Sequence, residues 1–377
     1  MEIYRKVVGR GRLSHINTLR KEIDKIDTMI LDLLNKRAEI AIEIGVEKYK
    51  AQEDNFHAPD REIEIYKRLL RLNKGPFPNT SLQAVYREIL SATLSLEKPL
   101  TIAYLGPEGT FTHLAGLKQF GSSANYIPLK NIERVFIEVE KKRADYGVVP
   151  IENSIEGIVN YTLDMFIVSP LNICAEILLE ISHNLLSLEE DIKKISKIYS
   201  HPHALAQCKS WLENNLSDIS LCEVSSTARA AELASQEPST GAIASEPAAT
   251  LYGLKVIERN ISDSRDNFTR FIVISRELAR RSGKDKTSIL FSVEDKPGAL
   301  FYILEPFAKK EINLTKIESR PMKKAWEYIF FLDMEGHISD KKIASVLDEL
   351  REKCIYIKVL GSYPKYINIS CDSDIRL

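Results

Sequence analysis

GALFYILEPFAKKEINLTKIESRP, residues 298–321, decides how this 377-residue chain is read. The stretch reads as the end of a strand, a helix, a turn around Asn313 and a strand that closes on Glu318-Ser319-Arg320-Pro321. Widened to 287–366, the pattern is strand, helix, strand, strand, helix, strand, an α+β unit. The polar, basic segment Arg276 to Lys286 before it reads as a linker.

Working upstream, the segment from Leu100 to Ile274 has α/β character. Thr101 to Leu105, Tyr146 to Ile151, Lys197 to Ser200, Thr240 to Ala244 and Phe271 to Ile274 are apolar strand candidates. Helical patterns lie between them, which predicts mainly parallel strands. The first 98 residues carry no strand signal. Leu19, Ile23, Ile26, Ile30, Leu33, Ile40 and Ile44 recur at helical steps, with Thr18 placed to cap the start. A helix over 19–50 is ~48 Å long and needs a partner along its length. After a loop at 51–58, Pro59 opens a second helix to about Leu72; Gly75-Pro76-Phe77-Pro78 breaks it. A third helix runs from about Ser81 to Leu96. Residues 1–18 read as a loose lead-in without the apolar core of a signal peptide.

Composition narrows the function classes. The length implies two or three domains. Formal net charge is −1 with 28% charged residues, which gives no footprint for nucleic acid or an anionic membrane. No apolar run reaches the ~18 residues that suggest a membrane span. Cys174, Cys208, Cys222, Cys354 and Cys371 form no CxxC pair, so a reducing cytoplasm fits better than a disulfide framework or a zinc site. No dinucleotide GxGxxG or Walker-type loop is present, and neither a metal nor a redox cofactor is implied.

Two basic residues interrupt the apolar stripe of the first helix. Arg37 occupies a stripe position, and Lys48 continues the same line about three turns on. One reading is that both snorkel to solvent. The other is an anion pocket in a helical bundle, because buried cations need anionic partners and a dicarboxylate ligand would supply them.

Three resemblances cover about residues 19–366. Gly298-Ala299-Leu300 with Glu318-Ser319-Arg320-Pro321 resembles the ligand-sensing half of an ACT domain, in the form found in phenylalanine-sensing prephenate dehydratases. The resemblance implies a ferredoxin-like α+β fold over 286–366. Phenylalanine would be bound by Gly298, Ala299, Leu300, Asn313, Glu318, Ser319 and Arg320, between paired protomers.

Leu19-Arg20, Lys36-Arg37, Lys48 and Asp60-Arg61-Glu62 resemble, in their spacing, the all-helical chorismate mutases, which are typically dimers interlocked through long helices. This implies that Arg20 reaches the partner's site and that Arg37 and Arg61 clamp carboxylates. Lys48 would donate to the breaking ether oxygen, Glu62 would accept from the ring hydroxyl, and Thr93 and Glu97 would complete the pocket. The rearrangement of chorismate to prephenate needs a compact conformer and positive charge beside the breaking bond, and no nucleophile. The chain departs from some relatives at Ala58, where Asp can sit, and at Glu97, where some carry Gln.

Residues 99–277 resemble prephenate dehydratase, a fold similar to type II periplasmic binding proteins. The matching segments are GPEGTFT (106–112), VPIENS (149–154), SHPHALAQC (200–208), SST (225–227) and DNFTRF (266–271). Singly, GPEGT is also a plain turn and SST a helix cap. The resemblance implies one lobe from 100–178 plus 262–276 and another from 179–261. Thr269 would lie nearest the departing hydroxyl, with Asn153, Gln207, Thr110, Ser226 and Thr227 as further polar contacts. Aromatisation drives the loss of CO₂ and hydroxide, so a well-placed hydrogen-bond donor suffices. His201 and His203 could share a strand face as metal ligands, but no third ligand cluster lies near. Arg270 alternates with Thr269 and Phe271 and is read as structural.

The order of units resembles that of the bifunctional chorismate mutase–prephenate dehydratases. Chorismate and prephenate would be the substrates, phenylalanine the effector, and a homodimer or higher homo-oligomer the assembly. Two rivals remain. One is a monofunctional prephenate or arogenate dehydratase whose helical unit only dimerises, against which Arg37, Lys48 and Arg61 argue. The other is a non-catalytic amino-acid sensor, against which DNFTRF argues.

Overall fold

The computed structural model describes residues 10–51, 59–264, 266–321 and 328–366, without the side chains of 10–14 and 60. Ala58 and the loop 52–58 lie outside the described residues, as do residues 1–9 and 367–377.

Three helices open the chain: α1 (Arg10–Lys50), α2 (Pro59–Leu72) and α3 (Asn79–Glu97). Helix α1 begins well before Thr18, which therefore sits inside it and does not cap it. Ile16 lies upstream on the same apolar stripe, itself exposed. Leu90 and Thr93 on α3 are buried, while Ile16, Leu19, Ile23, Ile26, Ile30 and Leu33 of α1 are exposed. Together these side chains leave a long exposed apolar stripe along α1.

Two sheets follow. The first holds β1 (Thr101–Leu105), β2 (Asn125–Leu129), β3 (Tyr146–Asn153), β4 (Gly157–Ile158), β5 (Asn172–Glu180) and β11 (Phe268–Ser275), with β4 on the edge of β3. Helices α4 (Phe111–Phe120), α5 (Ile132–Glu140) and α6 (Asn160–Val168) connect its strands. The second holds β6 (Asn184–Ser187), β7 (Lys197–Ser200), β8 (Ser220–Glu223), β9 (Thr240–Ala244) and β10 (Lys255–Glu258). With it go α7 (Pro202–Gln207), α8 (Lys209–Asn215), α9 (Thr227–Ala234) and α10 (Glu246–Tyr252).

The expectation of mainly parallel strands holds only for part of each sheet. Strand β1 is parallel to β2 and β3, but β11 is antiparallel to both β3 and β5. The chain leaves the first sheet after β5 and returns as β11, and the return fixes the direction.

The last unit is β12 (Asp285–Ser292), α11 (Ala299–Lys309), β13 (Leu314–Pro321), β14 (Tyr328–Glu335), α12 (Lys341–Lys353) and β15 (Tyr356–Pro364), in sheet order β13-β14-β12-β15. The expected linker is shorter than read. Lys286 lies in β12, buried, with its ammonium on Glu176 of β5 at 2.8 Å. One face of this sheet packs on α11 and α12 through Phe291, Phe307, Val346 and Leu350. The other joins the first sheet's core through Leu290, Phe331, Leu360 and Tyr363. A Cβ at Gly361 would stand 2.1 Å from the Ile173 carbonyl oxygen, so only glycine permits this approach of β15 to β5.

Candidate active sites

In the helical unit, Arg37 donates to Thr93 Oγ1 and the hydroxyl of Thr93 donates to the Ile89 carbonyl. Lys48 Nζ pairs with Glu97 Oε2 at 3.0 Å, and the Glu97 side chain is only 12% exposed. Glu97 therefore faces Lys48 and not water. The stripe cations do not snorkel freely; they converge with α3 on one face. Beside them is an open groove of about 530 Å³ lined by Ile40, Glu43, Ile44, Glu47, Lys48 and Ala51. Arg61 is not drawn into that cluster within one copy. It is exposed and paired with Glu64 one turn on. Arg20 is exposed on the apolar side of α1. Glu62 is half-buried and helps, after burial, to push the phenol of Tyr66 upward.

The second cluster forms where β3 and β11 run side by side. Thr269 and Asn153 are direct register partners. Asn153 Oδ1 accepts from the backbone N–H groups of Ile155 (2.9 Å) and Glu156 (3.0 Å), which fixes the amide's orientation. Its Nδ2 then donates to Thr269 Oγ1 (2.9 Å), Asn267 Oδ1 (2.8 Å) and the Phe268 carbonyl (3.3 Å). Asn267 Nδ2 donates onward to Gln207 Oε1 at 2.8 Å, and Gln207 Nε2 donates to Glu156 Oε1 at 2.8 Å. Every amide in the chain has one possible direction, set by the backbone at one end and a carboxylate at the other.

Two consequences follow. Thr269 Oγ1 is an acceptor from Asn153, and no hydrogen bond that it donates falls among the described residues. Its proton is available to a bound ligand. His183 Nε2 lies 2.9 Å from Gln207 Oε1, which can only accept, so His183 carries its proton on Nε2. Burial holds this imidazole below its ordinary pKa, and its Nδ1 is buried without a hydrogen-bond partner among the described residues. The Phe111 ring meets His183 edge-on, at 5.7 Å between centroids.

Thr110 and Ser226 are helix caps. Thr110 Oγ1 accepts from His113 N–H at 3.3 Å and itself donates to the Pro107 carbonyl at 2.9 Å. Ser226 Oγ accepts from Arg229 N–H at 3.0 Å, and the buried Thr227 follows as the first residue of α9. The two turns meet: Gly109 packs against Leu251, Tyr252 and Ala228, and Ser245 Oγ reaches the Gly109 carbonyl at 3.4 Å. What they offer is backbone N–H at two helix N-termini. His201 caps α7 and does not lie in a strand, and His203 binds Glu156. Arg270 turns away from Thr269 and pairs with Glu176 and Asp333.

In the last unit, Gly298 is left-handed at φ 80° and opens α11. Ala299 and Leu300 are half-buried, and Asn313 is exposed with its carbonyl taken by Glu335 N–H at 2.9 Å. Along β13, Glu318 is half-buried and Ser319 exposed. Arg320 is directed elsewhere, to Asp164 (2.9 Å) and the Asn160 carbonyl (2.6 Å) on α6.

Comparison with known proteins accounts for all three units. Family profiles match for chorismate mutase type II over residues 19–98, prephenate dehydratase over 102–279 and the ACT domain over 287–352. The bifunctional chorismate mutase/prephenate dehydratase of Aquifex aeolicus is 55% identical over 94% of this chain and 99% of its own. The chain belongs to the bifunctional chorismate mutase/prephenate dehydratase family. The Stutzerimonas stutzeri member is 44% identical over 93% of this chain and 98% of its own. Among solved structures, the prephenate dehydratase of Arthrobacter aurescens in complex with L-Phe is 37% identical, with TM-score 0.65, covering 71% of this chain and 90% of that one.

Within the dehydratase unit, sequence reasoning missed His183, Glu156 and Asn267 as members of the network. Asn267 stood inside the DNFTRF segment. Glu156 and His183 gave no local signal, since their role depends on Gln207, remote in sequence.

Proposed function

We propose that this chain converts chorismate to prephenate in its helical unit and prephenate to phenylpyruvate in its α/β unit, and is inhibited by phenylalanine at its ACT unit. The observation that supports the dehydratase reading is the fixed direction of the Asn153 amide, which accepts main-chain N–H at Oδ1 and donates to Thr269. Asn153 occupies an oxygen lone pair of that hydroxyl, which leaves its proton to point at the departing hydroxide of prephenate. A neutral threonine is a weak acid, so it acts by donating a hydrogen bond more than by full transfer. Backbone N–H groups behind the caps Thr110 and Ser226 receive the side-chain carboxylate.

For the mutase, the converging Arg37 and Lys48 support binding of a dianion and stabilisation of charge at the ether oxygen. The exposed stripe of α1 supports a homodimer in which Arg20 reaches the partner's groove and Arg61 swings from Glu64 to a substrate carboxylate. We divide the chain at 1–98, 99–277 and 286–366, and place it in the cytoplasm. No helix among the described residues is long and apolar enough to cross a membrane.

The test is to supply chorismate and follow prephenate and phenylpyruvate together. Lys48→Ala should remove mutase turnover, a loss of ~3–4 kcal/mol for a preorganised cation, and leave the dehydratase working. Loss of both activities from that single change, in folded protein, would refute separate sites.

A further inference from the structure

Behind the catalytic pair lies a second pair. Thr269 opposite Asn153 and Arg270 opposite Glu152 are consecutive rungs of the β11–β3 ladder. Successive side chains leave a strand on opposite faces, so Arg270 and Glu152 point to the far side of the sheet from Thr269 and Asn153. There they meet a rung of the ACT sheet, Lys316 opposite Asp333 on β13 and β14. Lys316 Nζ lies 2.7 Å from Glu152 Oε2, and Arg270 Nη1 lies 2.7 Å from Asp333 Oδ2. Arg270 also reaches Glu176 at 2.8 Å, and Lys286 holds the same carboxylate.

Three cations and three carboxylates thus close on one another, with Tyr363 and Ser288 completing the hydrogen bonds of Arg270 and Asp333. No charge is left over to bind a ligand, so the cluster is not a substrate site. Each ladder is irregular beside the contact, between Arg270 and Phe271 in one and between Leu314 and Lys316 in the other. Such irregularities bend a strand and re-aim its side chains. Lys316 itself lies between Asn313 and Glu318, both assigned to the effector site.

We infer that Glu152 and Arg270 are positioning residues for the dehydratase step, through which Lys316 and Asp333 of the ACT sheet set the placement of Asn153 and Thr269. One strand's thickness separates the charge contacts from the catalytic pair. Movement of β13 on effector binding reaches the Thr269 hydroxyl through two ion pairs. The inference rests on the dehydratase and effector assignments above.

The experiment uses the full chain with Lys316→Met, Lys316→Arg and Glu152→Gln, with phenylalanine as the ligand and mutase turnover as the folding control. Lys316→Met and Glu152→Gln should each lower dehydratase kcat by about fivefold with KM for prephenate nearly unchanged, as expected of misplacement. The half-inhibiting phenylalanine concentration should rise by about tenfold, the loss of a coupling free energy. Lys316→Arg should restore both, which a packing role would not require. Folded Lys316→Met protein with kcat and inhibition both within about twofold of wild type would overturn the inference, since no coupling would have been lost. Failure of arginine to rescue would overturn it too. Wild-type protein that phenylalanine does not inhibit would instead refute the effector reading, and this inference with it.

Discussion

Replacing Thr269 by valine removes one hydroxyl and keeps the volume, and the structure separates its effect on folding from its effect on rate. Thr269 is 9% exposed and its Oγ1 accepts one hydrogen bond, from Asn153 Nδ2. That amide keeps two other acceptors, Asn267 Oδ1 and the Phe268 carbonyl, so the substitution orphans no buried donor. The stability cost is then the net worth of one hydrogen bond, about 1 kcal/mol, partly offset by the added methyl. The rate is a different matter. If Thr269 supplies the donor to the departing hydroxide, its loss should cost roughly 2.7–4 kcal/mol of transition-state stabilisation, a fall of about 10²–10³ in kcat. Thr269→Ser should keep most of the activity. The assay is phenylpyruvate formation from saturating prephenate, with mutase turnover and the thermal midpoint measured on the same preparation. A folded Thr269→Val protein within about tenfold of wild type would show that the departing hydroxide finds its donor elsewhere.

Glu97→Gln takes away the carboxylate on Lys48 and offers an amide donor in its place, so mutase kcat/KM at neutral pH should rise about threefold or more and persist at higher pH; a large fall would show that Glu97 is needed as it stands. Burial holds His113 and His183 below their ordinary pKa near 6.5, and His113 Nδ1 accepts from Gly109 N–H at 3.2 Å, so protonation would break that bond. The unfolded chain takes up these protons first, so stability is complete above about pH 6.5 and is lost as pH falls below it. The thermal midpoint should therefore drop on acidification, with a shallower slope in His113→Gln and His183→Gln; slopes equal to wild type in both would refute the assignment. At Gly298, φ is 80° and a Cβ would meet the Tyr302 ring at 3.2 Å. Valine there costs about 1–2 kcal/mol in the left-handed region and should raise the half-inhibiting phenylalanine concentration by about tenfold, whereas identical inhibition curves would remove this loop from the effector site.

The short buried strands were legible because each is an apolar run between breakers. Thr101–Leu105, Lys197–Ser200 and Thr240–Ala244 fall at the residues expected. Their direction was not legible. Nothing in Phe268–Ser275 says that it runs against its neighbours, because that depends on where the chain had been beforehand. Caps and linkers failed for a related reason. Thr18 has the chemistry of a cap, but the helix begins at Arg10, upstream of it. Lys286 has the chemistry of a linker residue, yet its partner Glu176 is 110 positions away and only the docking of two sheets brings them together.

The residue types proposed for the dehydratase site were readable as a set, but their polarity was not. Asn153, Gln207 and Thr269 could be named from local segments. Each amide could face either way, and each orientation gives a different chemistry. With Asn153 reversed, its carbonyl would accept the Thr269 proton and the hydroxyl would have nothing to donate to a substrate. What excludes this is two main-chain N–H groups at Ile155 and Glu156, which take the Asn153 carbonyl for themselves. Main-chain N–H is common to every residue but proline, so no residue identity announces it. The turn between β3 and β4 places those amides, and the glycine that ends the turn, Gly157 at φ 81°, lets the chain fold back there. The donor state of Thr269 is therefore a property of backbone geometry four residues long, passed across one ladder rung by a single amide side chain.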